Sequence, residues 1–164
     1  MENPLFHDSQ NLNVRELKSS ILTLLNNLSG EKENYPKIAD ELMGNLNSEL
    51  IEKGFNDEGK IIVPLLNNLV LNKECVPPFV QYKGIDALIK LLNDNDTNII
   101  LISNASQIFK NIANASDEYK KMLQEKKVPD LIYRIIKKVE PYDHMIKKLN
   151  LKEGNYYSIA IYIK

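Results

Sequence analysis

Few side chains in this chain could carry out covalent or acid–base chemistry. It has one cysteine, Cys75, and two histidines, His7 and His144, and no spacing relates either histidine to Cys75 or to a serine. A protein nucleophile needs a base within hydrogen-bond reach. The sequence also lacks the spaced motifs that hold metal ions or phosphate groups. We therefore expect no enzyme, no metal and no cofactor, and we interpret Cys75 as a small apolar residue at a turn between helices.

The chain contains an internal repeat. The segment LLNNL occurs at 24–28 and returns at 65–69, and IFKNI at 108–112 has the same order of apolar, polar and asparagine residues. The step of 43 residues between the last two segments also aligns FVQYKGIDALI at 79–89 with MLQEKKVPDLI at 122–132. A period near 42 is typical of helical solenoid repeats.

Apolar spacing predicts a short helix, a medium helix, a loop and a long helix in each unit. The long helix of the third unit places five apolar residues on one face, which are Leu101, Ala105, Ile108, Phe109 and Ile112.

Local signals predict where these helices begin and end. Asp96 or Thr97 is expected to cap the long helix, and Gly84 to supply the left-handed residue that closes the short one. Pro129 is expected in a first helical turn. The long helix of the second unit is expected to begin near Pro64 or to bend there, since proline removes a backbone donor.

Two segments resemble the armadillo repeat, namely GIDALIKLL at 84–92 and FKNIA at 109–113. They are similar to the second and third helices of that family, and the resemblance is better over 75–139 than over 12–74. It implies an all-α, right-handed α-solenoid of about three to four units. The expected organisation is an arm at 1–11 and then units at 12–54, 55–97 and 98–141, with a partial unit at 142–164. The chain is expected to be a fragment or to end in a truncated repeat, although SIAIYI at 158–163 also alternates as a strand does.

The armadillo resemblance implies a binding surface along the third helices, where a ladder of asparagines holds an extended peptide. Side-chain amides suit this role because each offers both donors and an acceptor. The ladder positions are Asn27, Asn68 and Asn111. In the third unit Asn104, Gln107 and Asn111 fall at i, i+3 and i+7, which makes a polar stripe beside the apolar face, and Lys110 lies next to it. In the alternative interpretation these amides cap or bridge helices and bind nothing.

The expected function is a non-enzymatic interaction module or scaffold that binds a protein or peptide segment. The resemblance leaves open a co-chaperone that regulates an ATPase, and a cytoskeletal or motor-associated adaptor. A nuclear-import receptor is not expected. That class stacks tryptophans on basic side chains, whereas the chain has none and carries Thr23, Pro64 and Gln107 at those positions.

Charge is unevenly distributed along the chain. The net charge is −1, which does not favour binding of nucleic acid. Residues 1–60 carry a net charge of −5 and residues 120–164 carry +6. The basic residues of 120–152 suggest an acidic partner or an anionic membrane, or they are paired lysines on solvated helix faces. Without a signal peptide or a membrane span, the expected location is cytoplasmic or nuclear.

Overall fold

The structure of the protein is a computed structural model. The structure describes residue 16 and residues 19–28 and 35–139, with only the backbone described at 35–41 and 139. The expected arm at 1–11, the partial unit at 142–164 and its possible strand lie outside these ranges, as do His7 and His144.

All regular elements of the described residues are helical. Helix α1 comprises 19–28. The following elements are α2 (Tyr35–Lys53), α3 (Gly59–Leu69), a 3-10 turn (Lys73–Cys75), α4 (Val76–Gln81), α5 (Gly84–Asp94), α6 (Ile99–Ala115), α7 (Asp117–Glu125) and α8 (Val128–Val139). The all-α prediction is therefore confirmed for this part of the chain.

Each helix packs against its neighbours around one hydrophobic core. Helix α2 contacts α3, α4 and α5, and α6 contacts α3, α5 and α7. Helix α7 in turn contacts α8. The largest buried side chains include Phe79, Phe109 and Met43. The apolar face predicted for the long helix is correct, since all five of its residues are buried in α6.

The order short helix, medium helix, loop, long helix is present in α4, α5 and α6. Helix α4 has proline in its first turn, where the missing N–H costs no helical hydrogen bond. Pro129 is the second residue of α8, as predicted.

The left-handed residue between α4 and α5 is Lys83 and not Gly84. Lys83 has φ 60°, and Lys127 has φ 57° at the matching turn before α8. Gly84 begins α5 and is needed for a different reason. A Cβ atom there would lie 2.4 Å from the ring of Phe79, which is closer than packed atoms allow.

One further boundary prediction was wrong, and of the two alternatives given for Pro64 only a bend stays a prediction. The cap of α6 is Asn98, whose Oδ1 accepts from the backbone N–H of Leu101 at 3.0 Å, and not Asp96 or Thr97. Helix α3 begins at Gly59, before Pro64, which lies inside it. Tertiary packing of buried residues on both sides of Pro64, such as Ile62 and Leu66, holds α3 together despite the missing donor.

Cys75 is buried at the end of the 3-10 turn. That turn contacts α2, α4 and α6. The interpretation of Cys75 as a small apolar residue at a turn between helices is confirmed.

Candidate partner-binding surface

Side-chain amides join α3 to the helices before and after it. Asn68 Nδ2 donates to Asn26 Oδ1 on α1 at 3.2 Å. Its neighbour Asn67 donates through Nδ2 to Asn104 Oδ1 on α6 at 3.3 Å. Adjacent asparagines on α3 thus point in two directions and bridge three helices.

Helix α6 carries further side-chain amides on the face that contains Asn104. Gln107 Nε2 donates to Asn111 Oδ1 at 3.2 Å, one helical turn away. Asn104 Nδ2 donates to the carbonyl of Ile100 at 2.9 Å. Residues 100, 104, 107 and 111 are spaced as one helical face requires. We call the set Asn26, Asn27, Asn67, Asn68, Asn104, Gln107 and Asn111 the amide surface.

These amides lie at the edge of the core. Asn67, Asn68, Gln107 and Asn111 are half-buried, because the residues that precede and follow them in each helix are core residues. In α3 these are Leu65, Leu66 and Leu69. In α6 they are Ile108, Phe109 and Ile112, and all six side chains have 0 % exposure.

Two polar atoms of the amide surface have no hydrogen-bond partner among the described residues, Asn67 Oδ1 and Asn111 Nδ2. One is an acceptor and the other a donor. A buried polar atom left without a partner costs about 1–3 kcal/mol. Both atoms are buried, so a partner could reach them only if neighbouring side chains moved.

The structure connects the predicted site residues only in part. Gln107 and Asn111 bond to each other, whereas Asn68 and Asn104 each bond to an asparagine that was not predicted. Asn27 is exposed and Lys110 is half-buried, and no hydrogen bond joins either to the predicted set within the described ranges.

Asn26 and Asn67 are the members that sequence reasoning missed. Both are the first asparagine of LLNNL, whereas the ladder positions Asn27 and Asn68 are the second. The pair of adjacent asparagines in LLNNL was the sequence signal that could have identified them.

Apolar side chains border the amide surface. Ile21, Leu24 and Leu28 of α1 are exposed, as are Leu71 after α3 and Ile100 at the start of α6. By contrast, the hydroxyls of Ser20 and Thr23 donate to carbonyls of their own helix four residues earlier. The border therefore offers aliphatic contacts to a partner.

Neither a metal centre nor a membrane-spanning helix is found among the residues that the structure describes. They contain no group of three or more His, Cys, Asp and Glu placed to hold a metal ion. None of the helices described has both the length and the apolar character needed to cross a membrane. No family model, curated protein or solved structure matches the chain.

Proposed function

We propose that the chain is an armadillo-like α-solenoid that acts as a non-enzymatic binding module. It would bind an extended segment of a protein partner along α1, α3 and α6. The amides would hydrogen-bond the backbone of the segment, and the aliphatic border would contact its side chains.

Contacts between helices support the repeat arrangement. Side-chain hydrogen bonds repeatedly join residues 37 to 42 positions apart, close to the sequence period. They include Asn68 to Asn26, Asn67 to Asn104, Lys90 to the Ile51 carbonyl, Lys126 to Asp86, Arg134 to Asn93 and Lys138 to Asp96. Stacked units of this length bring equivalent helices together at such separations.

The left-handed lysines support the same arrangement. Lys83 and Lys127 make the same turn before α5 and α8, and they lie 44 residues apart. A lysine adopts this conformation less readily than glycine. Its recurrence at one place in two units is expected of a duplicated supersecondary structure.

The amide surface is the observation that carries the binding proposal. It consists of uncharged groups, and its hydrogen bonds span the three helices α1, α3 and α6. Partial burial favours hydrogen bonds that must replace water, because the local dielectric constant is lower than in bulk solvent. Binding would not depend strongly on the partner's charges.

Peptides selected from a displayed random library against the wild-type chain test the proposal. We expect the selected peptides to lose about tenfold or more in affinity when Asn27, Asn68 and Asn111 are all replaced by alanine, since each lost hydrogen bond contributes about 0.5–1.5 kcal/mol. Asn45→Ala is the matched control, because Asn45 is exposed on α2, outside the amide surface. Circular dichroism must show equal helicity in all variants.

A second measurement separates backbone recognition from side-chain recognition. N-methylation of single peptide bonds in a selected peptide removes one backbone donor at a time. We expect at least one such change to weaken binding strongly while alanine replacement at the same residue does not. Equal binding by the triple variant, or indifference to every N-methylation, would contradict the proposal.

A further inference from the structure

A second candidate site lies between α5 and α8. It is a cleft of about 300 Å³, and none of its lining residues belongs to the amide surface. The lining consists of Ile89 and Asn93 from α5, Lys126 and Lys127 from the turn before α8, and Asp130, Leu131 and Arg134 from α8.

Contacts to α5 fix two cations at the cleft. Lys126 Nζ lies 2.6 Å from Asp86 Oδ1. Arg134 Nη2 donates to Asn93 Oδ1 at 2.5 Å. Residues 86 and 93 are seven positions apart on α5, two helical turns along one face. The two fixed cations therefore lie toward opposite ends of the cleft.

Positive charge in the cleft is only partly compensated. Arg134 bonds to a neutral amide, so its full charge remains and most of its five donors stay available. Lys127 and Arg134 form no ion pair with any described residue. The lining contains a single carboxylate, that of Asp130. The positive end of the α8 dipole adds to the potential.

The cleft also has an apolar floor. Ile89 is half-buried and Leu131 is buried between the two helices. A ligand that combines a compact anionic group with a small apolar group would therefore match both the cations and the apolar floor of the cleft. The volume is near the lower end of the range found for small-molecule sites.

We propose that this cleft binds a small phosphate monoester. A phosphate monoester carries a charge of about −1.5 to −2 at neutral pH, which matches the two unpaired cations. Its oxygens accept the paired N–H bonds that a guanidinium donates. Lys127 and Arg134 hold the phosphate, Lys126 borders it, and Ile89 and Leu131 contact the organic group.

Phenyl phosphate is a suitable probe. Its binding to the full chain can be measured by calorimetry and by changes in the NMR chemical shifts of the backbone amides of residues 126–134. We expect it to bind more tightly than inorganic phosphate, which cannot use the apolar floor. Phenol, which lacks the anion, should not bind. Vesicles that contain phosphatidic acid test whether a membrane lipid is the source of the phosphate instead.

Single substitutions in the cleft test its residues. Arg134→Gln should weaken binding of phenyl phosphate about tenfold, as expected for loss of a charge-assisted pair of hydrogen bonds. Lys127→Gln should weaken it to a smaller extent, whereas Asp130→Asn should strengthen it by removing like-charge repulsion. Lys121→Gln is the matched control, because it removes the same charge from an exposed position on α7 outside the lining.

Arg134→Gln also removes the contact to Asn93, so its fold must be checked by thermal unfolding. Lys127→Gln breaks no hydrogen bond or ion pair of the described residues, and it decides the result if Arg134→Gln is unfolded. The proposal is overturned if Lys121→Gln weakens binding as much as Lys127→Gln. Binding to vesicles alone, or an absence of amide shifts at 126–134, would overturn it as well.

Discussion

The two copies of LLNNL have the same sequence but different surroundings. In the second copy Leu65, Leu66 and Leu69 are fully buried. In the first, Leu24 is 57 % exposed and Leu28 is 44 % exposed. Leu25, the counterpart of Leu66, is half-buried against the core, so two of the three leucine positions are buried in one helix and exposed in the other.

Packing on both sides explains this difference. Helix α3 contacts α2 and α6, so two neighbouring helices cover its leucines. Helix α1 is joined to α3 by the hydrogen bond from Asn68 to Asn26, while Leu24 faces solvent. A duplicated sequence therefore carries the tendency to form an amphipathic helix, and the neighbours decide which face is buried.

Leucine truncation should give the largest difference between the copies. Leu65→Ala should lower the free energy of unfolding by about 2–5 kcal/mol, because it leaves a cavity in a packed core. Leu24→Ala should change it by less than about 0.5 kcal/mol, because an exposed side chain loses little burial. Urea denaturation of both variants provides the measurement. Equal losses would mean that α1 is covered in solution as α3 is.

Asparagine truncation should give a smaller difference. Asn68→Ala should lower the free energy of unfolding by about 1 kcal/mol, because it breaks the hydrogen bond to Asn26. Asn27→Ala, at the equivalent position of the first copy, should have almost no effect, since Asn27 is exposed. Thermal unfolding of the two variants tests this. A larger loss for Asn27→Ala would reverse the comparison.

The coupling between the two copies should be the smallest effect. A double-mutant cycle with Asn26→Ala and Asn68→Ala should give an interaction energy of about 0.5 kcal/mol, at the lower limit for residues in contact. The pair Asn45→Ala and Asn68→Ala serves as a control and should be additive, because Asn45 is exposed on α2 and no hydrogen bond among the described residues joins it to the amide surface. An additive result for Asn26 and Asn68 would show that their hydrogen bond contributes nothing in solution.

The helices could be predicted from the sequence more readily than their ends. The buried face of α6 follows from apolar spacing alone, because five apolar residues at helical spacing all lie on the same side of the helix. The N-cap of α6 and the left-handed residue before α5 are each a single position, and a close neighbour in the sequence was an equally suitable candidate for it. The structure has Asn98 and Lys83 at these positions. Asp96 and Thr97 are also good caps, and glycine usually takes the left-handed position.

The site was harder to predict than the helices. Whether Asn26 or Asn27 faces α3 depends on the rotation of α1 about its axis. Adjacent helical residues point about 100° apart, so a rotation of that size exchanges their roles. That rotation is set by contacts with other helices, which the repeat does not encode. The α5–α8 cleft was missed as well, since the contact of Arg134 with Asn93 depends on how the side chains of α5 and α8 are oriented.

The thiol of Cys75 can report on local separation of the helices that cover it. Its thiol is the only one in the chain and has 0 % exposure. A thiol reagent can reach it only when the 3-10 turn separates from α2 or α6. The rate of labelling under native conditions would therefore measure the free energy of that local opening. Comparing this value with the free energy of global unfolding would show whether the helices around Cys75 open alone or with the whole molecule.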